Sequence, residues 1–276
     1  MIVSRQNRTL KDMRRLRRSK GERALLEGPH LVAAAQDAGL RIETVMATAE
    51  FLASPAGGAL AAGLPRPPLT VEARLLDELA DADSPRGLLA VAQLPRGGVE
   101  TLPVRAGGIY LFVEGLQDPG NLGALARVAE AAGAAGMALS PGTVHPNHPR
   151  ALRASAGSLL RLPVALGVEP DLLDRHLSQA SPMAPASPAP RWAALVPRGG
   201  DDLYGGADLD AAGGWRDTLV LALGSEGPGI SPALLARATL RLTIPVAPPV
   251  ESLNATVAAA LTLFELRRRR RARERG

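Results

Sequence analysis

The segment TLVLALGSEGPGIS, residues 218–231, sets an apolar run of strand length directly before a glycine-rich turn. Ser231-Pro232 then reads as the N-cap and first residue of a helix. Strand, glycine turn and helix start in succession mark an open α/β sheet, whose ligands sit at such junctions. The same grammar recurs on both sides. IYLFVEGL (109–116) is a second buried strand, running through Gln117-Asp118-Pro119-Gly120 into a helix, NLGALARVAEAAG (121–133), that Gly133 closes. MALS (137–140), RLPVAL (161–166) and WAALV (192–196) are further short apolar runs alternating with helical stretches. This predicts a mainly parallel sheet with helices on both faces. From Leu253 onward the chain reads as one long helix, with Leu253, Val257, Leu261 and Phe264 on a single face.

Upstream, a smaller α/β unit is expected over residues 21–97, after a basic arm at 1–20. GERALLEGPHLVAAAQDAGL (21–40) has helical spacing, broken at Gly28-Pro29 into two turns or short helices. RIETVMAT (41–48) alternates as a strand, TVEARLLDELAD (70–81) reads as a helix and GLLAVAQL (87–94) as a buried strand. The glycine- and proline-containing stretch 98–107 is the expected linker, and 108–276 the second domain. Within that domain SQASPMAPASPAP (178–190) reads as a flexible surface insertion, and the end as a basic C-terminal tail.

Charge is unevenly spread. Residues 1–20 carry +7 and residues 267–276 carry +6, whereas the whole chain carries +5, so the body between them holds −8. Basic ends on an acidic body point to a polyanion, or else to two solvated tails. Thirty of the 32 basic residues are arginines, so phosphate would be met by guanidinium forks. Aromatic residues are only 3%, which argues against a sheet that stacks bases on rings. The chain contains no cysteine, which removes disulfides, thiolate metal sites and thiol nucleophiles. No apolar run approaches the ~20 residues a bilayer needs, and no apolar stretch follows the basic start as in a secretory signal. A cytoplasmic protein without a membrane partner is expected. His145 and His148 lie among prolines in a loop pattern, so no metal site is expected either.

Three polar turns stand where chemistry would sit. In DPGNLGALAR (118–127), Asn121 is either a helix cap or a functional amide. Gly123 and Arg127 share a helical face. Amid alanine, leucine and valine the arginine calls for a charged partner: a ligand, or a nearby acid such as Glu114 or Glu130. In LGSEGPGIS (223–231) the glycines at 224, 227 and 229 let backbone approach a ligand closely, but Glu226 speaks against a simple phosphate nest. Neither glycine fingerprint for nucleotide phosphates is present. In the third turn, Glu251, Ser252 and Asn254 supply more polar groups at one helix start than capping needs, with Ser252 the expected cap.

These three turns, in this order, resemble the SpoU (TrmH-like) RNA ribose 2′-O-methyltransferases of the SPOUT superfamily. The resemblance rests on N-x-G-x-x-x-R at Asn121, Gly123 and Arg127, on LGSEGPGIS, and on I-P with E-S-L-N between 244 and 254. RASAGSLLRLPV (153–164) adds a weaker match, and EGPHLV (27–32) is similar to the family's ribosomal-protein-like, RNA substrate-binding domain. The resemblance implies a C-terminal trefoil knot, which generic topology rules would not predict. It also implies S-adenosyl-L-methionine, held by Leu223, Gly224, Ser225, Gly227, Ile244, Ser252 and Leu253. Homodimers formed through the C-terminal domain are implied as well, as is RNA as partner, ribosomal RNA before transfer RNA.

A ribose hydroxyl is a poor nucleophile near neutral pH, so the site must help remove its proton or stabilise the developing alkoxide. The resemblance gives that role to Arg127, with Asn121, Glu226, Ser252 and Asn254 as the other catalytic residues. A guanidinium with pKa above ~12 resists deprotonation, so alkoxide or phosphate stabilisation is its easier task. Two rivals are a non-catalytic RNA-binding or assembly protein with a degenerate knot, and a dinucleotide-dependent enzyme. The intact motifs argue against the first and the missing fingerprint against the second.

Overall fold

The computed structural model describes residues 1–16, 21–80, 86–94, 96–179, 189–205 and 217–274. Residues 180–188, the greater part of the expected insertion at 178–190, lie outside the described residues. The chain divides into two compact units, Met1–Pro95 with His145–Arg161, and Arg96–Val144 with Leu162–Gly276.

In the first unit, α1 (Arg8–Leu16) precedes β1 (Arg23–Glu27), α2 (Pro29–Asp37), β2 (Ile42–Ala47), α3 (Ala49–Ala53), α4 (Pro55–Ala62), β3 (Leu69–Thr70), α5 (Ala73–Asp77) and β4 (Leu88–Gln93). Its sheet runs β1-β4-β2-β3. Residues 23–27, expected in a helix or turn, are instead a strand antiparallel to β4, with Leu25 opposite Val91. A short apolar run buried on both sides has no periodicity to tell strand from helix. The expected helix at 70–81 shortens to α5, because Thr70 still belongs to β3. The basic arm is not merely a solvated tail. Leu10, Met13 and Leu16 bury one side of α1 in a core with Leu25, Met46, Leu75 and Leu79, leaving the cations to the other side.

The second unit holds a seven-stranded, wholly parallel sheet. Its elements are β5 (Ile109–Val113), α6 (Pro119–Ala132), β6 (Gly136–Leu139), β7 (Val164–Ala165), α9 (Pro170–Leu177), β8 (Arg191–Leu195), β9 (Asp201–Asp202), β10 (Leu219–Leu223), α10 (Pro232–Arg237), β11 (Leu240–Thr243) and α11 (Ala255–Glu274). Between β6 and β7, α7 (Pro149–Ala154) and α8 (Ser158–Arg161) group with the first unit, where Arg153 meets the buried Glu27 at 2.6 Å. The sheet order is β7-β6-β5-β10-β8-β11-β9. Every residue of β5 and β10 is buried, as central parallel strands require.

The stretch 98–107 does not behave as a free linker. Val99 and Leu102 enter the second unit's core beside Tyr110, Phe112 and Trp192, and the division between units falls at residues 95 and 96. Along α11 the buried positions are Ala259, Thr262, Leu263, Glu265 and Leu266, whereas Val257, Leu261 and Phe264 are exposed.

Candidate active site

The strand order of the second unit reverses direction at β5, so β5 and β10 end at a topological switch point, the usual ligand position in such sheets. A cavity of about 630 Å³ opens beside it, at the carboxyl ends of β8, β10 and β11, walled by residues 195–198, 223–230, Leu235, Leu242, Ile244, Val246, 252–255 and Ala258. All seven residues expected to hold a cofactor line it: Leu223, Gly224, Ser225, Gly227, Ile244, Ser252 and Leu253. The glycine turn shapes this wall. Ser225 and Gly229 exchange backbone hydrogen bonds at 3.2 and 3.1 Å, and Gly227 and Gly229 sit at φ 94° and 74°, open to glycine without strain. A Cβ on Gly224 would lie 2.0 Å from the carbonyl carbon of Gly229, so the turn folds back closely on its own strand.

Three polar side chains, one from each turn, meet in one network. Asn121 Nδ2 donates to Glu226 Oε1 at 2.8 Å, and Asn254 Nδ2 donates to Asn121 Oδ1 at 3.1 Å. Helix starts explain why these side chains are available. Asp118, not Asn121, caps α6 by accepting from Asn121 N at 2.7 Å, which leaves the Asn121 amide for Glu226 and Asn254. At α11 the cap is Asn254, whose Oδ1 accepts from Thr256 N at 2.8 Å, so Ser252 is not used for capping. Ser252 is exposed on the cavity wall.

Arg127 lies six residues beyond Asn121 on α6 and is exposed. Among the described residues it has no ion-pair or hydrogen-bond partner, so the structure does not bring it into the Asn121–Glu226–Asn254 network. Glu114, one expected partner, accepts instead from Ser231 N at 2.8 Å and Ser231 Oγ at 2.7 Å, fixing the start of α10.

Several participants were not singled out from sequence. Gln117 Nε2 donates to the carbonyls of Gly115 and Gly142, each at 2.8 Å, bracing the loop that carries Asp118. Thr256 Oγ1 donates to the carbonyl of Asn121 at 3.2 Å, tying the start of α11 to α6. Gln117 sits inside the quoted turn, but a lone glutamine carries no motif of its own. Part of the basic tail is also internal. Arg267 donates to the carbonyl of Ala131, Arg269 to that of Leu203 and Arg270 to that of Gly107. Among the described residues no cluster of three or more His, Cys, Asp or Glu is placed to hold a metal, and no helix is long and apolar enough to cross a membrane.

A parallel sheet with a largely apolar cavity at its carboxyl edge defines a small-molecule-binding α/β protein. Comparison with known proteins makes this specific. Residues 108–264 match the SpoU rRNA methylase family and residues 5–90 the MRM3-like substrate binding domain. The chain belongs to the SpoU rRNA methylase family. An uncharacterized tRNA/rRNA methyltransferase of Synechocystis is 35% identical over 97% of this chain and 93% of its own length. The 23S rRNA (guanosine(2553)-2′-O)-methyltransferase of Bacillus subtilis is 28% identical over 96% and 98%. An AdoMet-bound rRNA methyltransferase of Sinorhizobium meliloti superposes with a TM-score of 0.79 at 26% identity, covering 97% of each chain.

Proposed function

We propose that this chain transfers the methyl group of S-adenosyl-L-methionine to a ribose 2′-hydroxyl of structured RNA, ribosomal RNA in preference to transfer RNA. The observation that carries this is the network joining Asn121, Glu226 and Asn254, two of which also line the cavity. The cofactor fits the residues present. The cavity is within the range of drug-sized ligand sites, and its glycine turn leaves open space at Gly227 and Gly229, where an adenine could approach main chain. The bound cofactor supplies an electrophilic methyl group on a sulfonium.

This chain's own residues do the rest. The Asn121 amide and Glu226 carboxylate orient the ribose, with Asn254 fixing the amide's direction. Ser252 offers a further hydroxyl on the same wall. Arg127, exposed and charged, stabilises the alkoxide or grips the neighbouring phosphate. By the same reading the first unit binds the RNA, the C-terminal segment threads as a trefoil knot, and the protein works in the cytoplasm. Two chains pair through the exposed Val257, Leu261 and Phe264 of α11.

The test is methyl transfer from tritiated S-adenosylmethionine to purified ribosomal and transfer RNA, followed by mapping of 2′-O-methyl sites. Label in ribosomal RNA at one nucleotide is the expected result. Label in transfer RNA alone would reassign the substrate. Cofactor binding without label in either RNA would favour a non-catalytic protein.

A further inference from the structure

Among the described residues lining the cavity only Arg198 and Glu226 carry charge. Glu226 is engaged with Asn121. Arg198 is held differently. Its Nη2 meets Glu251 Oε1 at 3.1 Å, with the two side chains 72% and 79% exposed. An ion pair this exposed adds next to nothing to stability, so the guanidinium exchanges one carboxylate for another at little cost. Its backbone, by contrast, is pinned on both sides. Val196 N donates to the carbonyl of Leu242 at 2.9 Å, Gly200 N donates to Thr243 Oγ1 at 3.0 Å, and Thr243 Oγ1 donates back to the Val196 carbonyl at 3.2 Å. An exposed cation therefore stands on a fixed base at the cavity wall, paired with the carboxylate of the residue before Ser252.

We propose that Arg198 binds the α-carboxylate at the methionyl end of S-adenosylmethionine, and that Glu251 occupies the guanidinium when the cofactor is absent. The inference rests on the cofactor reading above. That ligand has a neutral adenosine, a positive sulfonium, a positive ammonium and one carboxylate. The two charged wall residues sort these groups. Glu226 repels the carboxylate and favours the positive centres, whereas the Arg198 fork matches a carboxylate in two parallel hydrogen bonds. Arg198 is thus a specificity-determining residue for the intact amino-acid end.

Calorimetry on the full-length protein tests this with two ligands, S-adenosylmethionine and its decarboxylated analogue. Wild-type protein should prefer the intact cofactor by roughly tenfold or more, the usual worth of a charge-assisted hydrogen bond. Arg198→Met should erase that preference while leaving affinity for the decarboxylated ligand unchanged. A variant that keeps the wild-type preference overturns the inference. So does one that weakens both ligands equally, since Arg198 would then shape the wall without reading the carboxylate. Wild-type protein that binds neither ligand would overturn the cofactor reading itself, a result separate from either variant outcome.

Discussion

Asn121 Nδ2 and Glu226 Oε1 lie 2.8 Å apart, although 105 positions of chain separate them. The bond joins the start of α6 to the glycine turn after β10, and Asn254 holds the other end of the same amide. With its amide nitrogen committed to a carboxylate and its oxygen to a donor, Asn121 has one orientation. That is the preorganisation a reacting hydroxyl needs. Asn121→Ala should lower single-turnover methyl transfer by roughly 10²- to 10³-fold, as loss of a preorganised donor does elsewhere. Cofactor affinity should change little, since Asn121 does not line the cavity. Calorimetry beside single-turnover kinetics checks both halves, and a variant that turns over normally would remove Asn121 from the site.

Gly224 makes a sharper demand. A Cβ there would stand 2.0 Å from the Gly229 carbonyl carbon and 2.3 Å from Ile230 N, both backbone atoms that no rotamer change can clear. Gly224→Ala should therefore open the turn, abolish cofactor binding and destabilise the second unit by at least ~1–3 kcal/mol, the usual cost of overpacking. Thermal unfolding with and without S-adenosylmethionine reads both. Retained ligand-induced stabilisation in this variant would mean that the turn is not the cofactor wall.

Much of this site is legible in the sequence, because its parts are local. The glycine turn, the polar helix starts and the apolar strands each announce themselves within ten residues or so, and the family resemblance places the turns together. What was not legible depends on distance. Asp118 displaced Asn121 as the cap of α6, and Asn254 displaced Ser252 at α11. Both were choices between neighbouring cap-forming residues that only the entry angle of the chain decides. The strand at 23–27 hid because burial on both sides erases periodicity. The stretch 98–107 looked like a linker from its glycines and prolines, but Val99 and Leu102 turn it into core.

Arg127 gives a cleaner separation of chemistry from folding than the network residues do. It is exposed and, among the described residues, unpaired, so its removal leaves no buried group unsatisfied. Arg127→Ala should abolish methyl transfer while cofactor affinity and melting temperature stay within error of wild type. Arg127→Lys should restore only part of the rate, since an ammonium cannot reproduce the planar fork. Wild-type turnover by the alanine variant would sink the assignment.

Glu265 gives α11 a dependence on pH whose sign follows from its partners. Its carboxylate accepts from Arg268 at 2.7 and 2.8 Å and from Arg269 at 2.7 Å. The Arg268 hydrogen bonds, then those of Arg269, hold its pKa down at about 2, against an ordinary 4.5. A carboxyl depressed in the folded state stabilises it above the unfolded pKa, and that contribution is lost as pH falls through the folded one. The stabilisation should thus be complete above pH 4.5 and should vanish between there and about pH 2. Urea midpoints measured across this window should fall less steeply for Glu265→Gln than for wild type, and parallel slopes would show that the pairing contributes nothing.

The basic tail that first suggested a polyanion now divides into two sets of arginines with different expected behaviour. Arg267, Arg269 and Arg270 donate to the carbonyls of Ala131, Leu203 and Gly107, three separate segments of the second unit. Ala131 lies in the last turn of α6, where carbonyls lack helical partners and a cation also meets the favourable end of the helix dipole. These arginines fasten α11, and α11 begins at the residue following Asn254. Arg271 is exposed and, among the described residues, makes no such bond. Arg269→Ala should therefore lower the melting temperature, because a carbonyl contact and a Glu265 pair go together. Arg271→Ala should leave melting unchanged and reduce the slope of log affinity for RNA against log salt by up to ~0.9, the share of one phosphate contact on a duplex, and nearer ~0.7 on a single strand. If Arg269→Ala changed only the salt slope, and Arg271→Ala only the melting temperature, the division between fastening and RNA-facing arginines would be reversed.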